Sequence, residues 1–420
     1  MTAPHAANAP RLEADWLVAA STQSVFKALE RGGFRARAVG GSVRNALLKL
    51  PVSDIDLATD APPDDVLRLA AAAGFKTIPT GLAHGTVTVI AQSQPFEITT
   101  LRRDVATDGR HAEVAFTTDW VADARRRDFT INALYCDADG TIFDPLGGVQ
   151  DLDPVRIRFI GDARRRIEED YLRILRFFRF TAVYTAGGVV DADGLAACTA
   201  LRDGLARISG ERIQAELLKL LVAPHAGAVT AALVASGVLR ALVDAEPHAS
   251  DLARLIAIEE RLGLTPDPVR RLAALAVVTS TDASALDRRL KLSAKDRGRL
   301  NCSAAHAGEL SPQLDERQLR VCAYRWGMPS YEDAALHGWA RSGAGVDDAG
   351  WFGVASLASR FTPPEFPISG RDLVALGYPA GPGVGETLER LEAGWIAGGF
   401  QLDRNELIAL ARAALPPVQS

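Results

Sequence analysis

The chain has 420 residues, of which 48% are hydrophobic and 24% are charged. This length and composition exclude a disordered chain and indicate two or three folded domains. The formal net charge is -5 at pH 7, so a nucleic-acid partner would need a local basic surface to attract its phosphates.

Cysteine and histidine usage narrows the class of protein further. The four cysteines lie far apart without a CxxC pair, which makes a zinc site or disulfide framework unexpected and a reducing cytoplasm the predicted location. The chain contains neither an HExxH segment nor a His-Asp dipeptide, the marks of common hydrolytic metal centres. The N-terminus has no signal or transit character and no apolar run is long enough to span a bilayer, so we expect no membrane partner.

Periodicity predicts strands only in the first 150 residues. The predicted elements, in chain order, are a helix over 12–31, a strand over 34–39, a turn at Gly40-Gly41, a helix over 42–50, a strand over 52–58, a helix over 64–73, strands over 85–92 and 95–101, a polar mobile loop over 102–123, a helix or helical turn over 126–134 and a strand-turn unit over 141–148. Beyond this part we predict helices alone, over 168–184, 211–222, 226–239, 250–261, 268–279 and 295–307. The fold class is therefore α+β.

Two neighbouring acids form the first motif that carries chemistry. Side chains alternate across a strand, so Asp54 and Asp56 share one face of the strand predicted over 52–58. A cation relieves such a pair, and Mg²⁺ binds carboxylates and nucleotide phosphates together. Glu97, on another predicted strand, supplies a third carboxylate for two-metal displacement chemistry. The alternative is a solvated strand end.

The segments on either side of these acids carry groups suited to phosphate and sugar. Gly40 and Gly41 allow a ligand to approach the backbone, and Arg44 lies one helical turn further on. The alternative is a plain strand-turn-helix connection. In RRDFTINAL (126–134), the arginine at 127 suits a phosphate, and the aspartate at 128 and asparagine at 132 suit a ribose hydroxyl. The alternative is an exposed helix N-terminus.

A third segment suits a nucleobase. In EEDYLRILR (168–176), Glu169, Arg173 and Arg176 lie at spacings of four and three, on one face of a predicted helix. Arginine and aspartate side chains match the hydrogen-bonding edge of a base, although a surface ion pair is the alternative. The basic runs at 164–166 and 288–299 suit RNA phosphates, or else form solvated faces.

Taken in order, these motifs resemble the class II tRNA nucleotidyltransferase and poly(A) polymerase family, most closely its CCA-adding members. The similarity covers residues 34–180 and, more weakly, ISGERIQAELLKLL (208–221) and the glycine-rich segment near Gly381. The matching segments are VGGSVRN, DID, EITTLRRD, TDGRHAEVAF, RRDFTINAL, DPLGGVQDL and EEDYLRILR.

The resemblance implies a role for each matching residue. Asp54 and Asp56 would bind catalytic Mg²⁺, with Glu97 as the third carboxylate. Residues implied in binding the triphosphate and ribose are Gly40, Gly41, Arg44, Arg127, Asp128 and Asn132. Residues implied in selecting CTP and then ATP are Glu169, Asp170 and Arg173, with Arg176 nearby. The loop around Asp108 to His111 would assist the switch from C to A addition.

The family also implies an architecture and an activity. We expect a nucleotidyltransferase head with a small mixed sheet over 1–150, a helical neck over 151–225, a helical body over 226–300 and a helical, tRNA-binding tail over 301–420. The expected reaction adds C, C and A to the tRNA 3′ end from CTP and ATP, with no DNA partner. Residues 79–86 lack the basic GRRF-like segment of the bacterial poly(A) polymerases, which favours CCA addition. A poly(A)- or A-adding enzyme and a non-catalytic RNA-binding protein remain the alternatives.

Overall fold

The protein is described by a computed structural model that covers residues 11–107, 112–243 and 246–414, with side chains at 104–107 and 112–114 left undescribed. The segment from Asp108 to His111, expected to assist the switch between nucleotides, lies outside these residues. The chain forms two compact units, one from Met1–Ala249 with Ala285–Leu292 and the other from Ser250–Ser284 with Ser293–Ser420. The fourfold division into head, neck, body and tail stays a prediction.

The described strands all lie before residue 144. They are β1 (Ala36–Val39), β2 (Ile55–Thr59), β3 (Lys76–Gly81), β4 (Thr86–Ala91), β5 (Gln94–Thr100), β6 (Arg102–Thr107), β7 (Ala112–Phe116), β8 (Tyr135–Cys136) and β9 (Ile142–Phe143). Seven of them form one sheet in the order β3-β4-β5-β2-β1-β8-β9, and β6 pairs with β7. Only the β2–β5 pair in that sheet is parallel, so the predicted mixed sheet is confirmed.

Helices make up the rest of the regular structure. Those that begin before residue 249 are α1 (Asp15–Val18), α2 (Ala20–Arg31), α3 (Gly41–Leu47), α4 (Pro63–Ala72), α5 (Trp120–Arg125), α6 (Ala163–Glu169), α7 (Leu172–Tyr184), α8 (Ala192–Leu201), α9 (Gly210–Leu221), α10 (Ala226–Ala235) and α11 (Val238–Leu242). Those that follow are α12 (Ala249–Leu262), α13 (Pro268–Ala276), α14 (Ser280–Leu290), α15 (Ala294–His306), α16 (Glu316–Trp326), α17 (Met328–Ser342), α18 (Ala349–Arg360), α19 (Gly370–Ala375), α20 (Pro382–Ala397) and α21 (Arg404–Ala413). Across the described ranges, no helix combines the length and the hydropathy that crossing a membrane requires. The predicted α+β class is confirmed.

The sheet separates a packed face from the face that carries the acids. Leu57 of β2 and Phe96 of β5 are fully buried in a core that also contains residues of α2 and α4. Because side chains alternate along a strand, Asp56 and Glu97 point to the opposite face. The parallel register sets Asp56 directly against Glu97 on the neighbouring strand. Packing of the apolar face thus fixes the position of these two carboxylates.

The strand that carries the acids is shorter than predicted. It begins at Ile55, so Asp54 lies one residue outside it, whereas the sequence predicted both acids within a strand over 52–58. The register that pairs Ile55 with Phe96 would set Asp54 opposite Pro95. Proline has no N–H with which to continue the ladder, and this explains the early end of the pairing.

The predicted mobile loop over 102–123 is wrong. Residues on both sides of the undescribed segment form strands β6 and β7, which pair antiparallel, and the helix α5 begins at Trp120. Polar composition suggested a loop, but pairing between two strands depends on partners that composition does not reveal.

The single helix predicted over 168–184 is also wrong. It divides into α6 and α7 because Asp170 takes an extended conformation, with φ of -155° and ψ of 105°. Its carboxylate accepts a hydrogen bond from the backbone N–H of Leu172 at 3.1 Å, which offers the chain an alternative to the helical pattern. The EEDYLRILR segment therefore spans a break between two helices.

The segment before α6 supports the short turn that carries Asn132. Thr130–Asn132 forms a 3₁₀ turn, and the Thr130 hydroxyl donates to the Asp151 carboxylate at 2.5 Å. Gly148 packs so closely here that an added Cβ would lie 2.2 Å from the Thr130 carbonyl oxygen. Glycine is thus required at this position for steric reasons.

We predict that Gly148→Ala lowers the free energy of unfolding by about 1–3 kcal/mol, because the backbone of the turn has to move. Gly298→Ala is the matched control. Gly298 lies within α15 with open space around its Cβ position, so alanine there should raise stability by about 0.5–1 kcal/mol. Urea unfolding followed by circular dichroism measures both changes. Equal stability of Gly148→Ala and the parent chain would contradict the steric argument.

Candidate nucleotide site

The predicted site residues converge on one cavity of about 490 Å³ in the first unit. Its lining residues are Gly40, Gly41, Arg44, Asp56, Arg127, Asp128, Asn132, Asp170, Leu172, Arg173, Arg176, Phe180 and Arg212. Every residue predicted for the site lines this cavity except Asp54, Glu97 and Glu169. Arginines outnumber aspartates in the lining, so the cavity suits an anionic ligand.

Asp56 marks the acidic end of the cavity. Burial first, and then the neighbouring Glu97 carboxylate, raise the pKa of Asp56 to about 6, although Arg127 acts in the opposite direction. Asp54 contributes to the same repulsion and is itself exposed, as is Glu97. Three like charges are therefore close enough to destabilise one another, a condition that a divalent cation relieves.

The acids at this edge of the sheet supply few ligands for a metal ion. Among the side chains that the structure describes, no group of three or more His, Cys, Asp or Glu residues is gathered closely enough to hold a metal ion. Mg²⁺, however, commonly takes only one or two carboxylates and completes its shell with water and substrate phosphates. Asp54 and Asp56 fit that pattern, with Glu97 beside them.

Arg127 is fixed from behind by α5 and β8. Its guanidinium donates to the Asp123 carboxylate at 3.2 Å and to the Tyr135 hydroxyl at 3.3 Å. Burial lowers the pKa of Arg127, but Tyr135 and Asp123 raise it more, so the pKa lies above its ordinary value. The side chain is therefore a permanent cation at the edge of the cavity. Asp123 was not singled out in the sequence, where no motif distinguishes it from other helical acids.

Asp128 is the centre of a hydrogen-bonded chain. Its Oδ1 accepts from the Asn132 side chain at 2.9 Å and from the Phe129 backbone N–H at 2.8 Å. Its Oδ2 accepts from both Nε and Nη2 of Arg176, at 2.9 and 2.5 Å. Burial alone would raise the pKa of Asp128, but Arg176 and these donors hold the pKa below its usual range. The carboxylate is therefore ionised, and it joins the 3₁₀ turn to α7.

Arg44 continues this chain to α3. Its guanidinium donates to the side-chain oxygen of Asn132, to Asn45 and to the Tyr184 hydroxyl, and it stacks 4.2 Å from the centre of the Tyr184 ring. Burial lowers the pKa of Arg44. Each of its three side-chain nitrogens already has a partner, so a phosphate would have to share or exchange these contacts.

The lining of the cavity also contains the pair Asp170 and Arg173. Asp170 lies at the helix break, where its Oδ2 accepts from Arg212 of α9 at 2.7 Å. Arg173 donates to the Glu169 carboxylate at 2.5 Å and to the Arg166 carbonyl oxygen at 2.6 Å. Glu169 thus acts behind Arg173 rather than at the cavity surface. An acceptor and a fork of donors face the same space.

Helix α9 contributes residues that motif reasoning did not assign. Arg212 lines the cavity, and Glu216 pairs with Arg176 at 3.6 Å and with Arg179 at 2.5 Å. Both belong to the ISGERIQAELLKLL segment, whose weak similarity was the available signal. Phe180 of α7 also lines the cavity, and the sequence predicts it only as part of the helix over 168–184.

The basic runs proposed for RNA contain several arginines engaged within the protein. Arg166 is only 7% exposed. Arg289 donates to the carbonyl oxygens of Leu205 and Ile208. Arg299 pairs with Asp267 and Asp333 in the second unit. These three side chains are engaged within the protein, so they fit neither the phosphate contacts nor the solvated faces considered for their segments.

Two segments of the chain match known family models. Residues 36–158 match the model of the poly(A) polymerase head domain. Residues 190–251 match the model described as the probable RNA and SrmB-binding site of polymerase A. Both matches agree with the resemblance found in the motifs.

Relatives extend the similarity over nearly the whole chain. The mitochondrial CCA tRNA nucleotidyltransferase 1 of Mus musculus is 35% identical over 390 residues, which is 92% of this chain and 88% of the mouse protein. The CCA-adding enzyme of Streptococcus gordonii is 38% identical over 237 residues, 56% of this chain and 58% of that enzyme.

Solved structures share the fold. The Bacillus stearothermophilus CCA-adding enzyme in complex with CTP superposes with a TM-score of 0.71 at 26% identity, over 94% of this chain and 96% of that one. The Thermotoga maritima CCA-adding enzyme complexed with tRNA_CCA has a TM-score of 0.67 at 20% identity, over 94% of each chain. The motifs, the cavity and these similarities together show that the chain belongs to the CCA tRNA nucleotidyltransferase family.

Proposed function

We infer that this chain adds C, C and A to the 3′ end of tRNA, using CTP and ATP and releasing pyrophosphate without a nucleic-acid template. The observation that carries this inference is that one cavity holds both Asp56 and the Asp170–Arg173 pair. Nucleotide transfer without a template strand requires an acid that binds a metal ion. It also requires, in the same site, donors and acceptors that match the edge of a base. The family of the chain supports the same reaction.

We propose that Asp54 and Asp56 hold Mg²⁺, with Glu97 beside them. When bound, the ion supplies charge neutralisation to the triphosphate and activation of the attacking hydroxyl. The parallel register of β2 and β5 holds Asp56 and Glu97 side by side, so that these carboxylates would keep the ion at one edge of the sheet. No covalent enzyme intermediate is needed, because the 3′-hydroxyl oxygen forms its bond to phosphorus as the bond to pyrophosphate breaks.

The cationic wall of the cavity orients the triphosphate. Arg127 is held by Asp123 and Tyr135, so little side-chain entropy remains to be lost when a phosphate binds. Gly40, at φ of +71°, turns the chain toward α3 and leaves room for a phosphate next to Gly41. Asn132 and Asp128 are already oriented by each other, and they offer polar groups to the ribose hydroxyls.

Selection of the base rests on Asp170 and Arg173. Cytosine and adenine both carry an exocyclic amino donor, whereas uracil and guanine carry a carbonyl oxygen in its place. A carboxylate accepts from an amino group, and a guanidinium donates to the adjacent ring nitrogen. The same pair therefore accepts C and A and leaves U and G with mismatched groups.

The cellular location and the absence of a DNA partner remain predictions from the sequence. We propose a cytoplasmic location, with mitochondria as the competing compartment because the mouse relative is mitochondrial, and fractionation of cells expressing a tagged chain separates the two. We also propose that DNA is not a partner. A DNA duplex that competes with labelled tRNA for binding would overturn that proposal.

The reaction is tested with tRNA transcripts that lack the CCA end. We predict that labelled CTP alone extends the transcript by two residues, and that ATP extends it by one more only after both cytidines. UTP and GTP should be rejected by both steps. Repeated addition of A would instead favour a poly(A) polymerase, and no pyrophosphate release with tRNA and both nucleotides would favour a non-catalytic RNA-binding protein.

A substitution separates chemistry from RNA binding. We predict that Asp54→Ala slows addition of both C and A by roughly 10³-fold or more, because the charge that balances the metal is lost. The dissociation constant for tRNA should stay within about twofold of the parent value, because a single exposed carboxylate contributes little to the binding of a whole tRNA. Asp64→Ala removes an exposed carboxylate from the first turn of α4 and serves as the matched control. Full activity of Asp54→Ala would contradict the metal assignment.

A further inference from the structure

Arg166 stands apart from the two arginines before it. Arg164 and Arg165 are exposed on α6, whereas Arg166 is only 7% exposed and does not line the nucleotide cavity. A side chain so placed is not available to an RNA backbone. Its contacts inside the protein must explain why a cation is buried here, since burying an uncompensated charge is costly.

The guanidinium of Arg166 faces the end of α5. It donates to the backbone carbonyl oxygens of Arg126 and Arg127. Arg126 is the C-cap residue directly after α5, and carbonyl oxygens at a helix C-terminus lack intrahelical partners and carry partial negative charge. Arg166 thus fixes the backbone just before Asp128, in the segment that supplies the phosphate end of the cavity.

The same guanidinium also faces the base end. It pairs with the Glu169 carboxylate through the oxygen that accepts from Arg173 at 2.5 Å. Arg173 in addition donates to the Arg166 carbonyl oxygen at 2.6 Å and to the Arg126 carbonyl oxygen at 3.4 Å. Arg166 and Arg173 therefore share two acceptors, Glu169 and the Arg126 carbonyl, and neither guanidinium can shift without the other.

The position of this cluster matters because the chain is not helical between α6 and α7. Asp170 is extended, so the helical backbone does not fix the direction of Arg173 relative to α6. The cluster of Arg166, Glu169 and Arg173 bridges that break with charge-assisted hydrogen bonds, which are stronger than neutral ones. It also joins the base-reading residue to the backbone that precedes Asp128.

We propose that Arg166 is a positioning residue that sets nucleotide choice by holding Arg173 against Glu169 and the end of α5. The proposal rests on the function proposed above. A planar guanidinium can reach the carboxylate and two carbonyl oxygens at once, whereas a lysine ammonium is a single point charge on a flexible stem. Arginine and lysine are therefore not equivalent here, although both preserve the charge.

Single-turnover addition tests the proposal with Arg166→Gln, Arg166→Lys, Glu169→Gln and the double variant Arg166→Gln/Glu169→Gln. The measured quantity is the ratio of kcat/KM for CTP to that for UTP, and for ATP to that for GTP. We expect both Arg166 variants to lower these ratios by roughly 10- to 100-fold, the loss that a small misplacement of a reacting or reading group causes. The double variant should lose no more than the worse single variant, because both residues act through one cluster.

Arg125→Gln is the matched control, since it makes the same chemical change at an exposed residue of α5 next to the anchoring carbonyls. It should leave the ratios unchanged. The tRNA dissociation constant of the Arg166 variants should stay within twofold of the parent value. Unchanged ratios with a weakened tRNA affinity would identify an RNA contact and overturn the proposal. Unchanged ratios with a lowered unfolding midpoint would identify a purely structural role and also overturn it.

Two further outcomes are decisive. If neither Arg166 variant folds, Glu169→Gln provides the test, because the Glu169 side chain is more exposed than that of Arg166. Unchanged nucleotide ratios in Glu169→Gln would then overturn the proposal. If the parent chain adds no C, C and A, the proposed function fails together with this inference. Correct addition by the parent chain and undiminished selectivity in every variant would overturn the inference alone.

Discussion

The ion pair between Asp128 and Arg176 is the interaction on which the nucleotide cavity depends. Asp128 is 8% exposed, and it accepts hydrogen bonds both from its own segment, at Phe129 and Asn132, and from the distant Arg176. Through Arg176 it holds α7, and through Asn132 it holds the 3₁₀ turn and then Arg44 of α3. Because Asp128 is the buried partner, loss of Arg176 would leave its charge without a cation, at a cost of up to about 3–5 kcal/mol. The walls of the cavity are therefore set before a ligand arrives.

Two kinds of local structure position the residues of the site, a sheet register and a break between helices. The sheet places Asp56 and Glu97 side by side through a register that its apolar face enforces, and such a register cannot slip without exposing that face. The residues proposed to read the base lie instead at a break between helices, where the local backbone imposes less. Arg212 and Glu169 supply there the contacts that the helical ladder does not. Reaction and selection can thus be changed separately by substitution.

The sequence predicted the chemistry better than the geometry that delivers it. Alternation placed Asp56 on a strand and motif order pointed to the family, because both signals are local. The end of β2 before Asp54 depended on Pro95 of another strand, and the helix break at Asp170 depended partly on Arg212, more than forty residues away. Asp123 carried no motif and became visible only through its contact with Arg127. Partners distant in the sequence, which local propensities do not reveal, contribute to each of these features.

We infer that nucleotide choice resides in the α7 region, which Asp128 holds in place, and that the acids of the sheet carry out the reaction. Competition between CTP and UTP in the Arg173→Ala variant tests it most directly, with tRNA affinity measured in parallel. We predict that discrimination between CTP and UTP falls by roughly tenfold or more, the equivalent of one lost charge-assisted hydrogen bond. The tRNA dissociation constant should stay within about twofold of the parent value. If C and A incorporation fell together, with an unchanged ratio and unchanged rejection of UTP, the account would be contradicted.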